Sequence, residues 1–319
     1  MADAALAVGV DLGGTNLRAA LVDVAAGRVL AEQKQAHADR APEAVAEALV
    51  ALVRAVDPSR RGVGIGVGIA GMLRGWTGVV INAPNLGWRE APFRALVEAR
   101  LGTGEPVELY NDLNAIALGE QRHGAARGQR DVLCVYIGTG IGAGLVLDGR
   151  LYAGASHLAG EIGHAKVVLE GGRLCGCGEH GCLEAYASGT NIAQRAHEEL
   201  QGRASLAIEL AGSVDAIHAG HLDEAARRGD AYALGLWDEV SRHAGLALGA
   251  AVTLLNPSRL VLGGGVLKGA PLLGDRVRER LMHATNPPSR EGLQIVETSL
   301  GDHAGVLGAA AAIHDRVAA

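Results

Sequence analysis

Three of the four cysteines in this chain of 319 residues fall within eight positions, Cys175-x-Cys177-x4-Cys182, in the stretch RLCGCGEHGCLEA. Thiolates at that spacing suit a tetrahedral zinc ion, which needs one further ligand. Two histidines compete for the fourth place: His164, eleven residues upstream in GEIGH, and His180 inside the loop. Four protein ligands would close the site and make it structural, with no position left for a catalytic water. A disulfide or a redox switch is the less favoured reading, since the setting read from the rest of the chain is a reducing one. Cys134, within the strand-like VLCVY, reads as a small core residue.

Three apolar stretches run directly into glycine turns: DLGGTN (Asp11 to Asn16), GTGIGAG (Gly138 to Gly144) and LGGGV (Leu262 to Val266). Glycines let successive backbone N–H groups converge on one concavity, where they hold phosphate oxygens. Gly13, Gly14, Thr15, Asn16, Gly138, Thr139, Gly140, Gly142, Gly264 and Gly265 are the candidates. Asp11 would be repelled by phosphate unless a cation intervened, so Mg²⁺ or its bound water is the expected partner. Any one of these turns could equally be a tight hairpin; three together predict a nucleotide.

In LYNDLNAIALGE, Asn111 and Asp112 lie between an apolar strand and a helical run. A carboxylate there can take a hydroxyl proton during phosphoryl transfer while the adjacent amide holds a second hydroxyl. Taken alone, Asp112 is as readily an N-cap. Glu161 and His164 of GEIGH, with Glu184 just after the cysteines, add the directed hydrogen-bonding groups that a polyhydroxylated ligand needs.

These groups must be carried by an α/β framework. LAVGVDL, LRAALVD and VLAEQKQ alternate as a β-meander, PEAVAEALVALVRAV has helical spacing with Pro42 in its first turn, and GVGIGVGIAG is a buried strand ending in a glycine corner. The plan repeats in DVLCVYIG and AGLVLDG, with Asp148-Gly149 signalling a hairpin into RLYAG. A helical region from about Asp223 to Leu255, a strand RLVLGGG, a helix near Leu272 to His283, a strand LQIVET and a helix from about His303 complete it. The repeat predicts two related α/β domains, a small one over 1–112 and a large one over 113–303 with the cysteine loop, the final helix 304–319 packing back onto the small domain.

Hydrophobic residues make up 49% and charged residues 20%, and the net charge is −6 without any basic block. Nucleic-acid binding has no electrostatic support in such a chain. The opening MADAALAVGVDLGG lacks the pattern of a secretory leader, and no apolar run is long enough to span a bilayer, so a cytoplasmic protein without a membrane partner is expected.

As a set, VDLGGTN, ND, IGTGIGAG, AGEIGH, CGCGEHGCLE and LGGG occur in the order and approximate spacing of the ROK family of bacterial sugar kinases and sugar-responsive repressors, and the chain resembles that family over nearly its whole length. EIGH followed by C-x-C-G-x-x-G-C-x-E is the most specific part. The resemblance implies an actin-like, ribonuclease H-like fold whose two domains close on sugar and ATP. It implies Asp112 as the base, Asn111, Glu161, His164 and Glu184 as sugar ligands, and structural zinc on His164, Cys175, Cys177 and Cys182. His164 would then serve zinc with one ring nitrogen and the sugar with the other. It further suggests sugar contacts from Gly71 and from Asn82 or Asn85. Ser156-His157-Leu158 departs from the small residues many relatives have there.

The activity implied is Mg-ATP-dependent phosphorylation of a hexose at its 6-hydroxyl. APNLGW leans toward the glucokinase-like branch, hence glucose, with N-acetylmannosamine, N-acetylglucosamine, mannose and fructose as alternative substrates and polyphosphate as an alternative donor. The repressor reading is disfavoured, because such relatives carry a helix-turn-helix region ahead of the first glycine loop, which here begins at Asp11. Relatives of this kind imply a homodimer or homotetramer.

Overall fold

A computed structural model describes residues 5–37 and 39–318. The reading of the N-terminus as no secretory leader falls partly on residues 1–4, which lie outside the described residues, as does the last residue of the expected final helix. Among the described residues no helix is long and apolar enough to cross a membrane. The chain divides into two compact units, one of residues 1–134, 144–160 and 298–319, the other of residues 135–143 and 161–297.

The first unit opens with the meander β1 (Leu6–Leu12), β2 (Asn16–Asp23) and β3 (Arg28–Ala36), followed by α1 (Pro42–Val56) and β4 (Ile65–Ile69). Next come β5 (Met72–Leu73), β6 (Val80–Ala83), β7 (Trp88–Ala91), α2 (Phe93–Leu101), β8 (Val107–Asn111) and α3 (Asp112–His123). Its main sheet has the order β3-β2-β1-β4-β8, and β5-β6-β7 form a small antiparallel sheet. β1, β4 and β8 are parallel and in register, Leu12 beside Ile69 and Ile69 beside Asn111, so all three end on one row. One face of the main sheet buries α1 and α2, with Leu49, Val53, Phe93 and Val97 in the core.

The other face is covered by α12 (Ala304–Ala318), an alanine-rich helix that packs on β1, β4 and α3. The approach is backbone to backbone. A Cβ on Gly9 would lie 1.9 Å from the Val306 carbonyl oxygen, one on Gly66 2.0 Å from that of Ala309, and one on Gly308 1.7 Å from that of Ala115. Side chains at these positions would force the layers apart, so the glycines are required by packing. α3 and residues 144–160 therefore belong to the first unit, where the sequence division had cut the chain after 112.

The second five-stranded sheet has the order β11-β10-β9-β12-β13, built from β9 (Val132–Ile137), β10 (Ile141–Leu147), β11 (Arg150–Leu151), β12 (Arg259–Gly263) and β13 (Gln294–Glu297). The β10–β11 turn places Asp148 at φ 52° and Gly149 at φ 76°, the positive values of the expected tight hairpin. The helices are α4 (Glu184–Ala187), α5 (Gly189–Leu200), α6 (Leu206–Ala211), α7 (Ala219–Arg227), α8 (Ala231–Leu255), α9 (Gly265–Gly269), α10 (Pro271–Ala284) and α11 (Pro287–Arg290). The long helical region expected from Asp223 is two helices: α7 ends at Arg227, Gly229 turns the chain at φ 89°, and the Asp230 carboxylate caps α8 through the N–H of Ala233.

Candidate active site

In the first unit the row of strand ends places the candidate groups together. After Leu12 comes the glycine loop, after Ile69 the Ala70-Gly71 corner, and after β8 the helix that begins with Asp112. Neighbouring strands are spaced about 4.8 Å apart, so the loop and Asp112 are separated by roughly 10 Å along one edge. The carboxyl ends of parallel strands are where open α/β sheets bind their ligands.

Asn111 caps α3: its Oδ1 accepts from the N–H groups of Leu113 (3.0 Å) and Asn114 (3.2 Å), and its Nδ2 donates to the Gly71 carbonyl at 3.3 Å. The cap, which the sequence left open at Asp112, is thus the preceding residue. Asp112 is the first helical residue, its Oδ1 accepting from the N–H of Leu113 at 2.9 Å. The positive partial charge of the helix N-terminus lies beside that carboxyl group. Asn82 lies in β6, and its carbonyl oxygen stands 2.8 Å from where a Gly71 Cβ would be. Asn85, in the turn after β6, packs on the glycine loop, its Cβ 2.9 Å from a Cβ built on Gly14.

Asp11, Gly13, Thr15 and Asn16 line a cavity of about 250 Å³ with Arg18, Lys34 and Asp302. Burial pushes the Asp11 carboxyl up from its ordinary range, and the nearby Arg18 guanidinium opposes that shift. Arg18 is itself held by Asp302 at 2.9 Å and by Glu32 at 3.4 Å.

In the second unit, Glu161 and His164 share a 3₁₀ turn over Ile162–His164, with Glu161 Oε2 3.8 Å from His164 Nε2. Burial raises the Glu161 carboxyl above its usual range, His164 lowers it and the nearby Glu184 raises it. Glu184 opens α4 and its Oε2 accepts from the Ile141 N–H at 2.8 Å, beside Gly140 of the second glycine loop.

The other ring nitrogen of His164 faces the cysteines. Among the described residues, His164, Cys175, Cys177 and Cys182 form the group that could hold a metal ion, each offering an atom within 4.8 Å of the rest; His180 is outside it. His164 Nδ1 is 3.7 Å from Cys175 Sγ, and the Sγ atoms of Cys177 and Cys182 are 3.8 Å apart. Tetrahedral zinc with Zn–S of about 2.3 Å and Zn–N of about 2.0 Å requires separations of about 3.5 Å for N···S and about 3.8 Å for S···S. The donor set therefore fits zinc in both ligand type and spacing. Gly181, at φ 78°, closes the loop where a Cβ would stand 1.8 Å from the Val168 carbonyl oxygen.

The second and third glycine turns meet. Gly138, Thr139, Gly265 and Val266 line a cavity of about 750 Å³ with Gly189, Thr190 and His218. Gly264 caps α9 at φ 101°, where a Cβ would strike the Ile137 carbonyl oxygen at 2.3 Å. Gly142 lies in β10, beyond the turn. His218 and His221 stack with centroids 3.7 Å apart at the start of α7. Sequence reasoning missed this pair, which no phosphate-loop pattern announces.

The ROK family model matches residues 7–316. The chain belongs to the ROK family. A glucokinase from Streptomyces coelicolor is 35% identical over 310 residues, 96% of each chain. The crystal structure of a ROK family glucokinase from Streptomyces griseus in complex with glucose and AMPPNP is 37% identical and aligns with a TM-score of 0.77 over 96% of this chain and 98% of that one. The DNA-binding transcriptional repressor Mlc of Escherichia coli is 34% identical over 223 residues, 70% of this chain and 53% of its own. The ROK architecture accounts for the α/β fold described above, and its solved members share the actin-like ATPase arrangement.

Proposed function

We propose that this ROK protein transfers the γ-phosphoryl group of Mg-ATP to the 6-hydroxyl of glucose. The observation that carries the proposal is the common edge of β1, β4 and β8: a glycine loop suited to phosphate ends one strand, and a carboxyl group, that of Asp112, opens the helix after another. The glucokinases that match the chain end to end support the same reading.

In this reading Asp112 accepts the proton of the attacking hydroxyl, its role being chiefly orientation because the transition state of phosphoryl transfer is loose. Asn111, whose Oδ1 caps α3 and whose Nδ2 gives one N–H to the Gly71 carbonyl, offers its second N–H to a sugar hydroxyl, and Gly71 with Asn82 or Asn85 adds further sugar contacts. Glu161, His164 and Glu184 bind sugar hydroxyls. Gly13 to Asn16, Gly138 to Gly142 and Gly264-Gly265 take the nucleotide, with Asp11 directed at its Mg²⁺. His164 and the three cysteines would hold a structural zinc ion, which would fix the imidazole and, through the loop, Glu184. We place the protein in the cytoplasm as a homodimer or homotetramer with no nucleic-acid partner.

The test is ADP release with Mg-ATP against glucose, mannose, fructose, N-acetylglucosamine and N-acetylmannosamine, with a no-sugar control. A strong glucose preference is expected. An N-acetyl sugar as the preferred substrate would move the specificity and leave the chemistry; no turnover with any sugar from folded, zinc-loaded protein would refute the kinase.

A further inference from the structure

His37 follows β3, has no role in the mechanism so far described, and is buried against the first glycine loop. Its ring Nε2 is 3.0 Å from the Gly13 carbonyl oxygen, and its backbone N–H donates to the Thr15 carbonyl at 3.1 Å. A carbonyl can only accept, so Nε2 carries the proton and donates. Nδ1 is buried without a hydrogen-bond partner among the described residues, so the Nε2–H bond to Gly13 is the one hydrogen bond found for the ring. One residue thus holds two carbonyls of a loop whose Gly13 N–H is already bonded to the Asn16 carbonyl at 3.0 Å.

We infer that His37 is a positioning residue for the phosphates of the nucleotide donor. A trans peptide is planar, and the C=O of one residue points opposite to the N–H of the next. The structure contains no cis peptide among its described residues. Fixing the carbonyls of Gly13 and Thr15 toward His37 therefore turns the N–H groups of Gly14 and Asn16 away from it. Gly13, Thr15 and Asn16 line the cavity beside Asp11, and His37 bonds to the Gly13 and Thr15 carbonyls without lining it. Gly14 has no side chain to restrict its backbone, and without the imidazole its preceding peptide loses the bond that holds its carbonyl. A preorganised N–H is worth more to an anion than one that must be ordered on binding.

The inference rests on the kinase reading, and the experiment separates the two. Binding of Mg-AMPPNP and steady-state kinetics are measured for the wild-type protein, H37A and H37Q, with thermal melting as a check on folding. H37A should weaken nucleotide binding and raise KM for Mg-ATP roughly threefold to tenfold, the range of one ordinary hydrogen bond, with KM for glucose unchanged. H37Q, whose amide can still donate to Gly13, should recover part of the loss. Equal nucleotide affinity in wild type and H37A, or equal rises in both KM values, would overturn the role of His37 alone. Should H37A fail to fold, H37Q decides: a rise in KM for Mg-ATP smaller than for glucose would overturn the inference, and the reverse would sustain it. A wild-type protein that binds no nucleotide would overturn the kinase reading and this inference with it.

Discussion

Gly308→Ala should destabilise the first unit, although alanine is the better helix former. Inside α12 the exchange favours the folded state by about 1 kcal/mol through helix propensity. The added Cβ, however, would lie 1.7 Å from the Ala115 carbonyl oxygen and 2.8 Å from the Gly119 nitrogen. Ordinary contact begins near 3.4 Å, so α12 and α3 must separate by well over an ångström, and both opposing atoms are backbone with no rotamer to yield. Overpacking of a tight core costs typically 1–3 kcal/mol and more where the backbone must move; at the upper end, after the propensity gain, a net loss of about 2 kcal/mol remains. At about 2–4 °C per kcal/mol for a unit of this size, the melting temperature should fall by roughly 4–8 °C. Gly235→Ala is the control, since Gly235 is exposed within α8 and a Cβ there meets nothing within 4 Å. It should raise the melting temperature by a few degrees. Calorimetry of both variants decides; a Gly308→Ala protein as stable as wild type would refute the claim that this interface is closed by backbone contact.

Two further outcomes follow from the site. Asp112→Asn keeps the size of the first residue of α3 and removes its charge, so kcat should fall by at least about 10²-fold with melting unchanged; near-normal turnover would remove Asp112 from its role. Metal analysis of protein purified without chelator should find about one zinc per chain, and Cys177→Ser should lose it together with several degrees of stability; folded, active protein free of zinc would refute the site.

Regular periodicity made most of the framework legible. PEAVAEALVALVRAV is helical over Pro42–Val56 as its spacing demands, and Asp148-Gly149 turns a hairpin because both residues tolerate positive φ. The small sheet β5-β6-β7 escaped because strands of two to four residues carry too few alternations to register a period. The break between α7 and α8 was written in Arg228-Gly229-Asp230, but apolar spacing on both sides concealed it. The four metal-ligating positions stood out in the sequence because cysteine is scarce and its spacing specific. His37 did not, for its partners are carbonyls, which every residue possesses and no residue type reveals.

The 47 glycines are the sharpest case, since sequence alone cannot separate those that admit a ligand from those that admit another part of the chain. The structure separates them by what a Cβ would meet. Gly9, Gly66 and Gly308 face backbone oxygens at 2.0 Å or less, whereas Gly138 and Gly265 face nothing within 4 Å and line the 750 Å³ cavity. The first kind belongs to stability and, on the kinase reading proposed above, the second to binding, so the two should respond oppositely to one substitution. Gly138→Ala strikes no protein atom and can keep the backbone bonds from its N–H to the Gly140 carbonyl and to its own carbonyl from the Gly189 N–H. Melting should therefore stay within about 1 °C of wild type. A methyl group on a loop that approaches phosphate closely should raise KM for Mg-ATP about tenfold while KM for glucose holds. If Gly138→Ala instead lowered stability as Gly308→Ala does and left nucleotide affinity intact, the open space at the loop would be an accident of packing, and its assignment to the nucleotide would fall.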